Sequence, residues 1–136
     1  MAAEVAGASA FALVPAGVVA FAGWSAPAAF ALAAVMLART VPAVLVVRAF
    51  LRGRKGERVS LVPPLLLSGA ALAAAAALAA RGRAPWIAAI ACGMLAVRAV
   101  ALLVWPRPRW RARQLGLIEA AFGVLFVVAV GLAWRA

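Results

Sequence analysis

Three ionisable side chains sit where charge is expensive. Arg39, Arg98 and Glu119 each fall inside a long apolar run. A charge within membrane hydrocarbon costs about 2.5–3.5 kcal/mol or more, so it turns toward neighbouring helices and takes a partner. The residues therefore predict an ion pair between Glu119 and either Arg98 or Arg39. Two guanidinium groups against one carboxylate leave one positive charge over, able to meet an anionic ligand or a lipid headgroup. The alternative is a structural salt bridge, with the remaining arginine heads snorkelling to the interface. Pro42 follows Arg39 by three residues. It removes one backbone hydrogen bond and is expected to kink its helix, either opening a cavity beside Arg39 and Thr40 or only shaping packing. Gly116, Glu119, Ala120 and Gly123 lie at helical spacing. Small residues on one face let a neighbouring helix approach closely, which would carry an arginine to Glu119.

What is missing narrows the chemistry further. The chain has no His, Asp, Asn or Tyr, and its only carboxylates are Glu4, Glu57 and Glu119. A Ser-His-Asp triad, a histidine metal site, paired-carboxylate catalysis and an aspartate-rich site for magnesium and diphosphate are excluded within a single chain. No glycine-rich loop follows a phosphate-binding pattern. Cys92 is the sole cysteine and lies in an apolar run, where it reads as a small hydrophobe. No cofactor, no metal and no enzymatic constellation are expected.

The elements that must position these groups follow from composition. The 136 residues are 69% apolar, with mean hydropathy +1.12. Soluble domains are about 45–50% apolar, and a chain this short cannot hide the excess in a water-soluble core. The expected fold is an all-α, polytopic transmembrane bundle forming a single domain. Five helices are predicted over approximately 7–23, 27–51, 61–80, 85–105 and 114–134, each near the roughly 20 residues that span a bilayer. The first is the weakest, with Gly7, Pro15, Gly17 and Gly23 in or beside it, and it could be re-entrant. Ser25 and Pro27 start the second; Pro63 and Pro64 open the third, and Pro85 the fourth.

The net charge of +11 does not point to nucleic acid, because the basic residues concentrate in short loops. Arg48, Arg52, Arg54, Lys55, Arg58, Arg107, Arg109, Arg111 and Arg113 fall on one side of the membrane; Arg81, Arg83 and Arg135 fall on the other. The side richer in arginine is expected to be cytoplasmic, where it would touch anionic lipid. That places the N-terminus inside and the C-terminus outside. Trp24, Trp86 and Trp134 then mark the outer interface, and Trp105 and Trp110 the inner one. On this topology Arg39, Arg98 and Glu119 all lie ~3–8 Å to the cytoplasmic side of the mid-plane. The segments Pro27–Ala38 and Pro85–Ala96 echo each other at a fixed offset, as related hairpins or as chance similarity between alanine-rich helices. The N-terminus has no basic region of the signal-peptide kind. The arginine and alanine excess suggests a GC-rich bacterial source and hence a bacterial inner membrane.

The segment Arg39-Thr-Val-Pro-Ala-Val-Leu-Val-Val-Arg-Ala-Phe-Leu-Arg52 resembles an arginine-flanked motif of the YwiC-like bacterial membrane proteins. Arg113-Gln-Leu-Gly-Leu-Ile-Glu-Ala120 is similar to their later Gly-x-x-Glu motif, and Glu4-Val-Ala-Gly7 to a Glu-x-x-Gly helix start. The likeness covers most of this chain but only the C-terminal half of the family. The lysine-glutamine-histidine-glycine stretch of the longer members is not here, which implies a shortened relative, a split gene or a truncated chain. The resemblance implies that Arg39, Pro42, Arg48, Gly116 and Glu119 matter, and it implies no reaction. A more remote likeness is to the helical fold of intramembrane prenyltransferases, without their aspartate motifs.

Three functional readings follow. The chain is a structural or accessory membrane component, or a small transporter-like subunit with a basic intramembrane pocket for an anion or lipid headgroup. The third reading is an enzyme fragment whose carboxylates come from another chain. A stable partner membrane subunit is expected under the first, and a homo-oligomer under the second.

Overall fold

The computed structural model describes residues 2–105 and 112–134. It is an all-α bundle of five helices: α1 (Ala2–Phe21), α2 (Ala26–Arg54), α3 (Val62–Ala80), α4 (Trp86–Val104) and α5 (Ala112–Ala133). All five are long and apolar enough to cross a membrane, and the chain is a multi-pass membrane protein. Trp110, Arg135 and the basic segment from Arg107 to Arg111 lie outside the described residues.

Two helices run further than the sequence reading placed them. The expected start at residue 7 is corrected to Ala2. The preceding Ala-Ala-Glu-Val-Ala stretch is helix-forming, and Glu4 sits in the first turn, where a carboxylate complements the helix dipole. α1 also continues through Pro15. α2 extends to Arg54 rather than residue 51. Its 29 residues span about 43 Å, longer than the roughly 30 Å hydrocarbon thickness, so its last turns reach the polar zone. Arg52 and Arg54 in the last turn favour that end of the dipole. Ser25 stands at the N-cap of α2, but its side chain makes no capping bond; its backbone carbonyl accepts from Ala28 and Ala29.

The turns at one end of the bundle are closed by glycine. Gly23 and Gly82 adopt φ +86° and +67°. At the second, Arg83 N–H donates to Leu78 O and Gly82 N–H to Ala79 O, at 2.9 Å each. This double closure needs a left-handed residue just past the helix, which glycine supplies without a Cβ clash. The same pattern joins Trp24 to Val19 and Gly23 to Ala20. α1–α2 and α3–α4 therefore fold back as antiparallel hairpins.

Each helix packs on the next, and α2 also packs on α4. α2 is the central element. α1 is nearly all lipid-facing, with 6% of its apolar window buried. The core forms two stacked apolar clusters. One, near the Gly23 and Gly82 turns, joins Leu32, Val35 and Met36 of α2 to Ala75, Ala88, Ala89, Cys92, Phe126 and Val130. The other, nearer the basic end, joins Val46 and Phe50 to Ala99, Leu102 and Leu115. The echo between α2 and α4 does not extend to environment. Met36 is buried, whereas Met94 in the matching position is 60% exposed.

At the end opposite the basic α2–α3 turn Trp24 and Trp134 stack, with ring centroids 6.2 Å apart. This ties the last turn of α5 to the α1–α2 turn. Trp134→Ala is expected to cost about 0.5–1.5 kcal/mol beyond the lost area. It would be read as earlier unfolding in mixed micelles and faster amide exchange over the last turns of α5.

Candidate functional site

The three intramembrane charges meet in a layer between the two apolar clusters. Arg39 and Pro42 lie between Met36 and Val46 on α2; Arg98 lies between Cys92 and Ala99 on α4; Glu119 lies between Leu115 and Phe126 on α5. Sequential packing of these helices brings together residues up to 80 positions apart.

Of the two arginines open to Glu119, the fold selects Arg98. Arg98 Nη1 lies 2.5 Å from Glu119 Oε1, with the two side chains 14% and 18% exposed. The arginine head also stands over the Phe122 ring at 5.1 Å. The contact is a close charge pair rather than an aligned hydrogen bond. Among the described residues, Glu119 Oε1, Arg98 Nη2 and Arg39 Nε are all buried without a hydrogen-bond partner. Such atoms are costly in a low-dielectric layer, so this is a polar site with unfilled bonding capacity.

Arg39 is the surplus cation. Its guanidinium rests over the Phe126 ring at 5.7 Å and against α5 at Gly123, where a Cβ would lie 3.3 Å from Arg39 Cζ. Gly123 thus leaves a slot for the arginine head. The shared glycine face expected on α5 is corrected here. Gly116 faces open space and Ala120 is exposed, while Leu115, Phe126 and Val130 turn inward. Lipid is as apolar as the core, so small residues alone do not reveal which side of a helix meets its neighbours.

Two hollows converge on Arg39. The first is a small cavity of about 20 Å³ beside Pro42, lined by Arg39, Arg98, Ser68, Cys92 and neighbouring alanines. It has room for about one water-sized occupant. α2 continues through Pro42, which has no N–H for the Ala38 carbonyl. Ser68 Oγ donates to Pro64 O at 2.8 Å. The second is a groove of about 600 Å³ along α2, walled by Glu4 of α1 and Glu119 of α5. Its floor carries Arg39, Thr40, Arg48, Arg52 and Lys55 between Ala43, Val44, Val47 and Leu51. The resemblance motif therefore forms the groove floor. Arg48 pairs with Glu4 across the groove wall. Arg52 Nε donates to Glu57 at 2.5 Å.

The sequence reading singled out Arg39, Arg98 and Glu119 but not the Arg48–Glu4 pair or the role of Gly123. The signal for the first was an acidic residue in the first turn of α1 opposite the basic last turns of α2 in an antiparallel hairpin. Among the described residues no group of three metal-ligating side chains occurs. Compared with family models, curated protein sequences and solved structures, the chain matches none.

Proposed function

We propose that this chain is a membrane component whose task is to bind an anion at Arg39, reached through the basic groove along α2. The carrying observation is the division of labour among the three charges. Arg98 is engaged by Glu119, whereas Arg39 lines both the groove and the small cavity and has its buried Nε unpartnered among the described residues. An anion there would offset the one positive charge the cluster carries in excess, in a layer where uncompensated charge is expensive. Charge-assisted bonds from a guanidinium suit a phosphate or carboxylate group. The groove volume is also within the range of small-molecule sites. The reading favours a transporter-like or ligand-responsive accessory subunit over a purely structural one. In it the basic end is cytoplasmic in a bacterial inner membrane, and the residues resembling the YwiC-like motifs are the ones that work.

The test is thermal unfolding of the purified chain in mild detergent, titrated with inorganic phosphate against chloride at constant ionic strength. At phosphate about a hundredfold above Kd the expected stabilisation is about 2.7 kcal/mol, absent in Arg39→Ala. That variant should fold, because it leaves Arg98 and Glu119 as a neutral pair. Equal behaviour of the two salts with the wild-type chain, or unchanged phosphate dependence in Arg39→Ala, would count against the proposal.

A further inference from the structure

We infer that the groove is a path for the phosphate headgroup of an anionic phospholipid, which enters sideways from the leaflet at the basic end and reaches Arg39 while its acyl chains stay in the bilayer. This rests on the anion-binding reading above and names its ligand class.

At the far end of the bundle Trp24 of the α1–α2 turn stacks on Trp134, just past α5. Glu4 of α1 and Glu119 of α5 both line the groove along α2, whose floor is half-buried from Arg39 to Leu51 and exposed at Arg52 and Lys55. α1 packs on α2 and α5 on α4, and among the described residues α1 and α5 do not pack on each other, so the groove between them opens sideways to the outside of the bundle.

The floor alternates charge and hydrocarbon. Arg48, Arg52 and Lys55 stand at the mouth, Val44 and Val47 lie between them and the bottom, and Arg39 is the bottom. From Lys55 to Arg39 the helix rises about 24 Å, so the cations reach from headgroup depth toward the bilayer centre. Four cations against two carboxylates make the groove complementary to a negative headgroup. A free phosphate ion travelling it would shed its water beside open hydrocarbon. A phospholipid keeps its chains in that hydrocarbon and brings only the headgroup into the groove. The lateral opening and the apolar floor thus favour the lipid over the free ion.

The experiment uses the full chain reconstituted in mixed phosphatidylglycerol and phosphatidylcholine, released into mild detergent and weighed by native mass spectrometry. Phosphatidylglycerol should be retained in preference to phosphatidylcholine. Retention should fall about tenfold in Arg39→Ala, the size expected for losing a charged hydrogen bond. Gly123→Leu keeps every charge but fills the slot of the Arg39 head, and it should fall similarly. Arg81→Ala, at the opposite end, should match wild type. Circular dichroism and size exclusion confirm that each variant is folded. Retention undiminished in both Arg39→Ala and Gly123→Leu would place the headgroup at the mouth only and overturn the inference. If phosphatidylglycerol is not retained but inorganic phosphate still stabilises the chain through Arg39, the lipid path fails and the anion site stands. Failure of both lipid and phosphate removes both proposals.

Discussion

Glu119→Gln is expected to destabilise the bundle by about 3 kcal/mol. Glu119 is the only carboxylate in the polar layer, and its partner Arg98 is 14% exposed. Removing one member of a buried pair leaves the other charge uncompensated, at about 3–5 kcal/mol; partial exposure places this pair at the lower end. The loss falls on two cations at once, since Arg39 shares the groove with Glu119. Arg98→Met should cost less, because Arg39 and Glu119 remain and can pair. The double variant Arg98→Met with Glu119→Leu should recover most of the stability, since apolar replacement of a buried pair is often neutral or favourable. Reversible unfolding in mixed micelles measures all three. If the double variant were as unstable as Glu119→Gln alone, the pair would not be the source of the effect.

Ala75→Leu is expected to cost about 1–3 kcal/mol, or to prevent close packing of α3 altogether. Ala71, Ala75 and Ala79 form the buried stripe of α3, and Ala88, Ala89, Cys92 and Ala99 line the buried side of α4. Helices of such small residues approach closely, and dispersion contact between them replaces the hydrophobic drive that lipid does not supply. Ala75 is 1% exposed, so a leucine there must push α3 from its neighbours. Ala77→Leu on the same helix faces outward and should stay within about 0.5 kcal/mol of wild type. A matching loss at both positions would show that the cost lies in helix propensity or insertion rather than in packing.

Much of this architecture is legible in the sequence. Mean hydropathy and run lengths dictate five spanning helices, because an apolar stretch of about 20 residues has few stable alternatives outside a bilayer. Pro27, Pro63, Pro64 and Pro85 mark helix starts, and Gly23 and Gly82 mark ends. Arg39, Arg98 and Glu119 announced themselves because charge within hydrocarbon demands a partner. The bounds of α1 and α2 were less legible, since their extensions lie at the polar boundary where hydropathy no longer discriminates.

What the sequence determined by itself is therefore a membrane bundle with a short list of polar groups and one excess positive charge among those inside it. Only the tertiary structure decided that Glu119 takes Arg98, that Arg39 is left over, that Gly123 rather than Gly116 makes room for it, and that the basic face of α2 lines a groove with Glu4 and Glu119. The reason is physical. In water, the apolar face of a helix points to the core and its rotation can be read from the pattern. In lipid the inward and outward faces are both apolar, so rotation is set by the fit of small residues between helices distant in sequence, and it is rotation that chooses which arginine meets the glutamate.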